Sequence, residues 1–372
     1  MAMNRRRNGI WFLFLTIIFA SQPSSAWDNH QKLTTEITDS PAAFAREYLN
    51  TKISIPCVAD EQAMIQKISG ELQINAAKVP VFSRNQNCAH LETVSARELI
   101  QSSFVDEPDQ GMDQDLPDSV DPQNDRAWMG GKTGPTSQGF RHMYFGGVEW
   151  RHPLNTFQIP LHAIGQAPAH FEKFKLVSDR FFREGNSFWG VRTLMWSIHI
   201  LQDLHQPFHV TQVPALRMLP WRNLFSGFVA RATQVIGNEH YAYEGLALAY
   251  VNDAEVSDIK QCFEIKSAVP VENIFAVIED TRAQAPALGE GLVHLFGGQM
   301  KNPEMNLPQG EGEIDYYAFA HAAPTDESSP QNQGLKEVRA ITCELFRKAA
   351  ARTWGELDRA FHSTSNSMNN GK

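Results

Sequence analysis

Apolar side chains recur at helical spacing along most of the chain. Residues 161–183 (LHAIGQAPAHFEKFKLVSDRFFR), 187–205, 239–252 and 334–361 all show the spacing that lines one face of a helix. Sustained strict alternation is scarce, so the pattern predicts an all-α, multi-helix fold with long irregular loops. Between residues 103 and 141 the composition shifts to Asp, Pro, Gly and Gln, which predicts a single long irregular segment. Loops of that length usually carry function or are disordered. A second interruption, VPALRMLPWRNLFSGFV at 213–229, is apolar instead. It either packs on the core or exposes Leu219, Trp221 and Phe225 as a lipid-facing rim, since large exposed apolar patches mark contact surfaces.

Residues 1–26 read as a secretory signal peptide, with a basic start (Arg5, Arg6, Arg7), an apolar run over 10–20, and small residues at Ser24 and Ala26. The apolar run falls well short of the roughly 20 residues that span a bilayer, which favours cleavage after Ala26 over anchoring. The expected protein is secreted or periplasmic. Residues 27–255 would then hold the chemistry, and 256–372 would form a C-terminal helical extension, in the same domain or as a separate lobe. Losing three arginines takes the formal charge from −9 to −12. That balance disfavours loose adhesion to nucleic acid or anionic membrane, although a metal site can still bind phosphate. Four cysteines in an exported chain suggest two disulfides. Cys57 with Cys88 and Cys262 with Cys343 is the preferred pairing, while sequence alone leaves all three pairings open.

The chemistry concentrates in WSIHILQDLHQPFHV, residues 196–210. On a helix His199 and Asp203 project from one face and can reach a single cation. Pro207 cannot continue regular helical hydrogen bonding, so the chain should turn there and bring His209 toward the same cleft. A lone helical histidine is ordinarily a hydrogen-bonded structural residue; three with an aspartate in so short a stretch point to a metal. In GNEHYAYEG, residues 237–245, His240 and Glu244 again share one helical face. His209, His240 and Glu244 together make a two-histidine, one-carboxylate zinc set that leaves room for water or substrate.

These two motifs, H-x3-D-x-HQP-x-H followed by N-x-H-x3-E, resemble the superfamily that joins zinc-dependent bacterial phospholipases C with the fungal-type single-strand nucleases. The resemblance spans roughly residues 27 to 250 and is most specific at the two motifs. It implies a helical fold holding three zinc ions, one of them bound by the amine and carbonyl of an N-terminal tryptophan. Carried over residue by residue, Trp27, His30 and Asp203 would hold one zinc, with Asp203 bridging to a second. His199 and His142 would join that second ion, with Asp109 as its carboxylate and as candidate general base; Asp113 and Asp106 stand as alternatives among the seven aspartates between 106 and 125. His209, His240 and Glu244 would hold the third. His205 should face away from these ions and act as a structural or orienting residue. His90, His152, His162, His170, His294, His321 and His362 default to structural or surface roles. The chain departs from the family pattern in the short Trp27-to-His30 spacing and in the long Asp109-to-His142 and His209-to-His240 segments, which bear on substrate more than on metal.

Three zinc ions suit phosphoester hydrolysis. Glu244 at the final position resembles the phospholipases, whereas the nucleases carry aspartate there. The first expectation is therefore a phospholipase C with a phospholipid substrate, transient membrane-surface contact and no stable nucleic-acid partner. A zinc-dependent single-strand nuclease and a non-catalytic exported zinc-binding protein remain the alternatives.

Overall fold

The computed structural model describes residues 29–128, 139–152, 155–219, 228–254, 259–301, 316–321 and 329–369, so Trp27, Trp221 and Phe225 lie outside the described residues. At its centre runs helix α6 (Ser187–Asp203), in which every residue from Phe188 to Asp203 is buried. A helix covered on all sides belongs to the middle of a core. Asn186 caps it by accepting the Trp189 N–H. Helix α5 (Ala167–Arg183) lies along α6, burying Phe171, Phe174, Val177, Phe181 and Phe182 at helical spacing. The long α12 (Pro330–Asn369) packs on both α5 and α6, and the 25-residue α8 (Phe228–Asn252) packs on the helix His30–Thr38. One hydrophobic cluster runs from Leu33 to Ala360 and takes in Phe346, Trp354 and Leu357 of α12, so the C-terminal part shares the core of the metal-motif region.

Helices dominate, as the periodicity predicts. Among the described residues the strands form only two two-stranded sheets: β1 (Lys52–Ile55) with β2 (Glu92–Ser95), and β3 (Phe145–His152) with β4 (Asn155–Ile164), both antiparallel. The second hairpin corrects the helix expected over 161–183. Residues up to Ile164 pair with β3, and the helix starts at Ala167 with Pro168 in its first turn. The helix expected over 187–205 ends at Asp203, where the chain turns ahead of Pro207. In the 213–229 stretch Val213, Ala215, Met218 and Leu219 are buried. Leu219 is therefore no part of an exposed rim.

Both disulfides adopt the preferred pairing, Cys57–Cys88 and Cys262–Cys343, and leave no free cysteine. The second joins α12 to the segment before α9 (Ile274–Arg282). Two disulfides fit an oxidising, non-cytoplasmic environment. No described helix is long and apolar enough to cross a membrane.

The irregular segment after residue 103 is pinned to the central helix. Its 3₁₀ stretch Ser103–Gln110 carries Glu107, whose carboxylate accepts bonds from Arg192 Nε at 2.9 Å, Arg192 Nη2 at 2.7 Å and Trp196 Nε1 at 2.8 Å. Arg192 also pairs with Glu61, and all three charged side chains are buried. Removing the shared cation would strand two buried carboxylates. Arg192→Met should therefore lose about 3–5 kcal/mol of stability. Equilibrium unfolding in denaturant checks this; a loss below about 1 kcal/mol would contradict the anchoring role.

Candidate metal centre

Six separate segments deliver side chains to one place beside the C-terminal end of α6. Helix α6 supplies His199 and Asp203, and the single turn α7 (Pro207–Val210) supplies His209. His142 ends the short α4 (Gly139–His142), and His30 begins α1 (His30–Thr38). Asp109 comes from the 3₁₀ stretch pinned by Arg192, while His240 and Glu244 sit one turn apart on α8. The chain passes tightly behind His142. Gly165 has φ +102°, and a Cβ there would fall 2.0 Å from the Met143 carbonyl oxygen.

The fully buried Asp203 carboxylate is the junction. Its Oδ2 lies 2.8 Å from His142 Nδ1 and 3.2 Å from His199 Nε2. Its Oδ1 lies 3.4 Å from His30 Nε2 and 3.8 Å from His209 Nδ1. Asp109 Oδ1 approaches His142 Nδ1 at 3.6 Å and His199 Nε2 at 3.7 Å. Glu244 Oε1 stands 2.7 Å from His240 Nε2 and 3.3 Å from His209 Nε2. Three groups result, each with donor atoms within 4.8 Å of one another: His30 with His199 and Asp203; Asp109 with His142 and His199; and His209 with His240 and Glu244. The least buried members are Asp109 and Glu244, whose side chains are 14% and 9% exposed. They mark the side from which solvent reaches the cluster.

Surrounding groups fix the rings. Gln202 spends its amide N–H on Thr34 Oγ1, so its Oε1 faces His30 Nδ1 at 2.8 Å and receives the proton there. The Val105 carbonyl takes His199 Nδ1–H at 2.7 Å, and the His142 carbonyl takes His209 Nδ1–H at 3.2 Å. In the neutral ring each contact leaves Nε2 with a lone pair directed inward. Burial alone would raise the Asp203 carboxyl, yet the imidazoles of His199, His142 and His30 hold it well below the usual carboxylate range. Burial would likewise lower His30, but its contact with Asp203 and the charges of Asp203, Asp109 and Asp106 lift it to about 9. The pocket has a demand for positive charge.

All the metal-site residues named from the sequence converge here except Trp27, which lies outside the described residues. Of the loop aspartates, Asp109 is the one in the donor groups. Asp113 is turned onto Arg141 at 2.5 Å, and Asp106 accepts the Gln31 N–H at 2.9 Å. His205 points elsewhere: its Nδ1–H donates to Leu201 O at 2.7 Å and its Nε2 accepts from Arg352 at 2.8 Å, tying the motif to α12. Burial and then Arg352 push it down to about 3, so it stays neutral. A fourth acid-and-cysteine group, Cys57, Asp60 and Cys88, contains a disulfide and offers no thiolate. The orienting roles of Gln202 and the Val105 carbonyl were not anticipated. Gln202 stands beside Asp203 in the motif, but a backbone carbonyl carries no side-chain signal.

Comparisons with protein families, with curated proteins and with solved structures find no match for this chain. The donor chemistry must therefore be judged by itself. Asp203 Oδ1 and His142 Nε2 are buried and make no hydrogen bond. A charged oxygen in that position is costly unless a cation or donor meets it. Mixed imidazole and carboxylate donors suit zinc, whereas calcium takes oxygen ligands. Metal-free protein should gain about 2.7 kcal/mol of stability at a hundredfold excess of zinc over its dissociation constant, and calcium should add nothing comparable. Unfolding curves with each cation test this, and equal effects of the two would contradict the donor assignment.

Proposed function

We propose that this chain is an exported zinc-dependent phosphodiesterase of the phospholipase C and single-strand nuclease type. The observation that carries the reading is the junction at Asp203: three donor groups that share or adjoin one buried carboxylate, with an accessible edge at Asp109 and Glu244. On this reading residues 1–26 are removed as a signal peptide, and the freed amine of Trp27 joins His30 and Asp203. Asp109, His142, His199 and Asp203 would hold a second ion, and His209, His240 and Glu244 a third. Zinc bound there would lower the pKa of water and withdraw charge from the phosphate oxygens.

The chain's own part is to position and to move one proton. Asp109 is a ligand-group carboxylate with exposed surface, so it can take the proton of the attacking water. The water oxygen forms the new bond to phosphorus as the bond from phosphorus to the alcohol oxygen breaks, and the departing oxygen takes a proton from solvent at the open edge. Gln202, Val105 and the His142 carbonyl keep three rings from turning during this step. A non-catalytic zinc store fits less well, because a structural site is normally closed by four protein ligands and the His209, His240, Glu244 group supplies three.

Phospholipid is the first substrate reading, with a transient membrane-surface contact, and it rests on Glu244. One observation favours the nuclease reading: Tyr144, whose N–H bonds the His209 carbonyl at 2.8 Å, meets Phe275 edge-on at 5.6 Å, and Phe275 is 49% exposed. Exposed rings near a phosphate site offer a base a surface on which to stack. Zinc-loaded protein beginning at Trp27 should release diacylglycerol from phosphatidylcholine well above its release of nucleotides from single-stranded DNA. Asp109→Asn should reduce that turnover by at least roughly 10²-fold. The reverse substrate ranking moves the chain to the nuclease reading, and zinc-loaded protein inactive on both contradicts the hydrolase.

A further inference from the structure

We infer that Asp113 is a positioning residue for His142, setting the ring so that Nδ1 rather than Nε2 is presented to the metal centre. This rests on the zinc reading above and extends it to a residue outside the donor groups. His142 is reversed relative to its neighbours. His30, His199 and His209 each turn Nδ1 to an acceptor outside the donor groups and Nε2 inward. In His142 it is Nδ1 that faces inward, 2.8 Å from Asp203 Oδ2, 3.0 Å from His199 Nε2 and 3.6 Å from Asp109 Oδ1. Its Nε2 points away, toward Asp113 Oδ2 at 3.5 Å.

Asp113 is built for that contact. Its side chain is 1% exposed, and its other oxygen is held by Arg141 Nη1 at 2.5 Å. The same Nη1 bonds the Gln73 carbonyl at 2.8 Å, and Arg141 itself is fully buried. Because Arg141 directly precedes His142, the pair clamps both the backbone and the ring of the same turn. At the observed separation neither Asp113 Oδ2 nor His142 Nε2 makes a hydrogen bond, and both atoms are buried. A neutral imidazole has one N–H; an acceptor facing Nε2 places it there and leaves the Nδ1 lone pair for a cation. Carboxylate partners of metal-binding histidines act in this way.

Asp113→Asn separates the positioning role from simple packing. The amide oxygen stays with the Arg141 donors, so the NH₂ group faces Nε2, which must then accept. The ring proton moves to Nδ1 and blocks the lone pair. By chelator competition, one zinc of the variant should bind roughly 10- to 100-fold more weakly with the other ions nearly unchanged, while loss of the buried charge facing Arg141 lowers the unfolding midpoint of the metal-free protein. Zinc-loaded wild-type protein labelled with ¹⁵N-histidine provides a second readout that does not need the variant to fold. One ring, identified by its loss in His142→Gln, should carry its proton on Nε2 and zinc on Nδ1. Wild-type zinc affinity in Asp113→Asn, or Nε2 coordination by every histidine, would overturn the inference while leaving the zinc reading in place. Failure of wild-type protein to bind zinc would overturn both.

Discussion

A carboxylate with no exposed surface has to be met by positive charge or hydrogen-bond donors, and around Asp203 stand imidazoles from α1, α4, α6 and α7 at once, with one of its oxygens left without a hydrogen bond. α1 and α4 lie far along the chain from α6 and α7, which follow one another across the turn before Pro207. Losing the groups around it would leave a buried charge poorly met, at a cost that single apolar contacts do not approach. The position of Asp203 on the last turn of α6 thus ties the entry of the chain, the end of the irregular segment and the HQP turn to one point.

That point is rigid because α6 is. The helix is packed on every side, and Arg192, near its N-terminal end, fastens the stretch that delivers Asp109 and the Val105 carbonyl. At its other end His205 and Arg352 attach the C-terminal helix α12. A constellation that is to hold metal ions, as proposed, needs such support from side chains that never touch the ions. The buried Asp113–Arg141 pair does the same for His142.

Local chemistry was legible in the sequence, and long-range chemistry was not. The i, i+4 pairs His199/Asp203 and His240/Glu244 declare themselves because a helix alone puts them on one face. Pro207 likewise announces the turn that redirects His209. Choosing among the loop aspartates is different in kind, since Asp109 is selected by the Glu107–Arg192 anchor, a contact between residues 85 apart. Phe157, Ile159 and Leu161 alternate with period two and signal the β3–β4 hairpin, but the helical spacing beyond Ala167 also runs backward over these residues and obscures it. The inward turn of Leu219 depends on tertiary packing, which an apolar sequence by itself does not distinguish from a lipid-facing rim.

The fold therefore brings three groups of candidate metal donors to one place, and the proposed hydrolysis requires cations in all three groups together. Crystals of the protein beginning at Trp27, measured on both sides of the zinc absorption edge, address this directly. The account predicts three anomalous peaks, two of them in contact with the carboxylate of Asp203 and the third among His209, His240 and Glu244. An absence of peaks around Asp203 in zinc-grown crystals would contradict it.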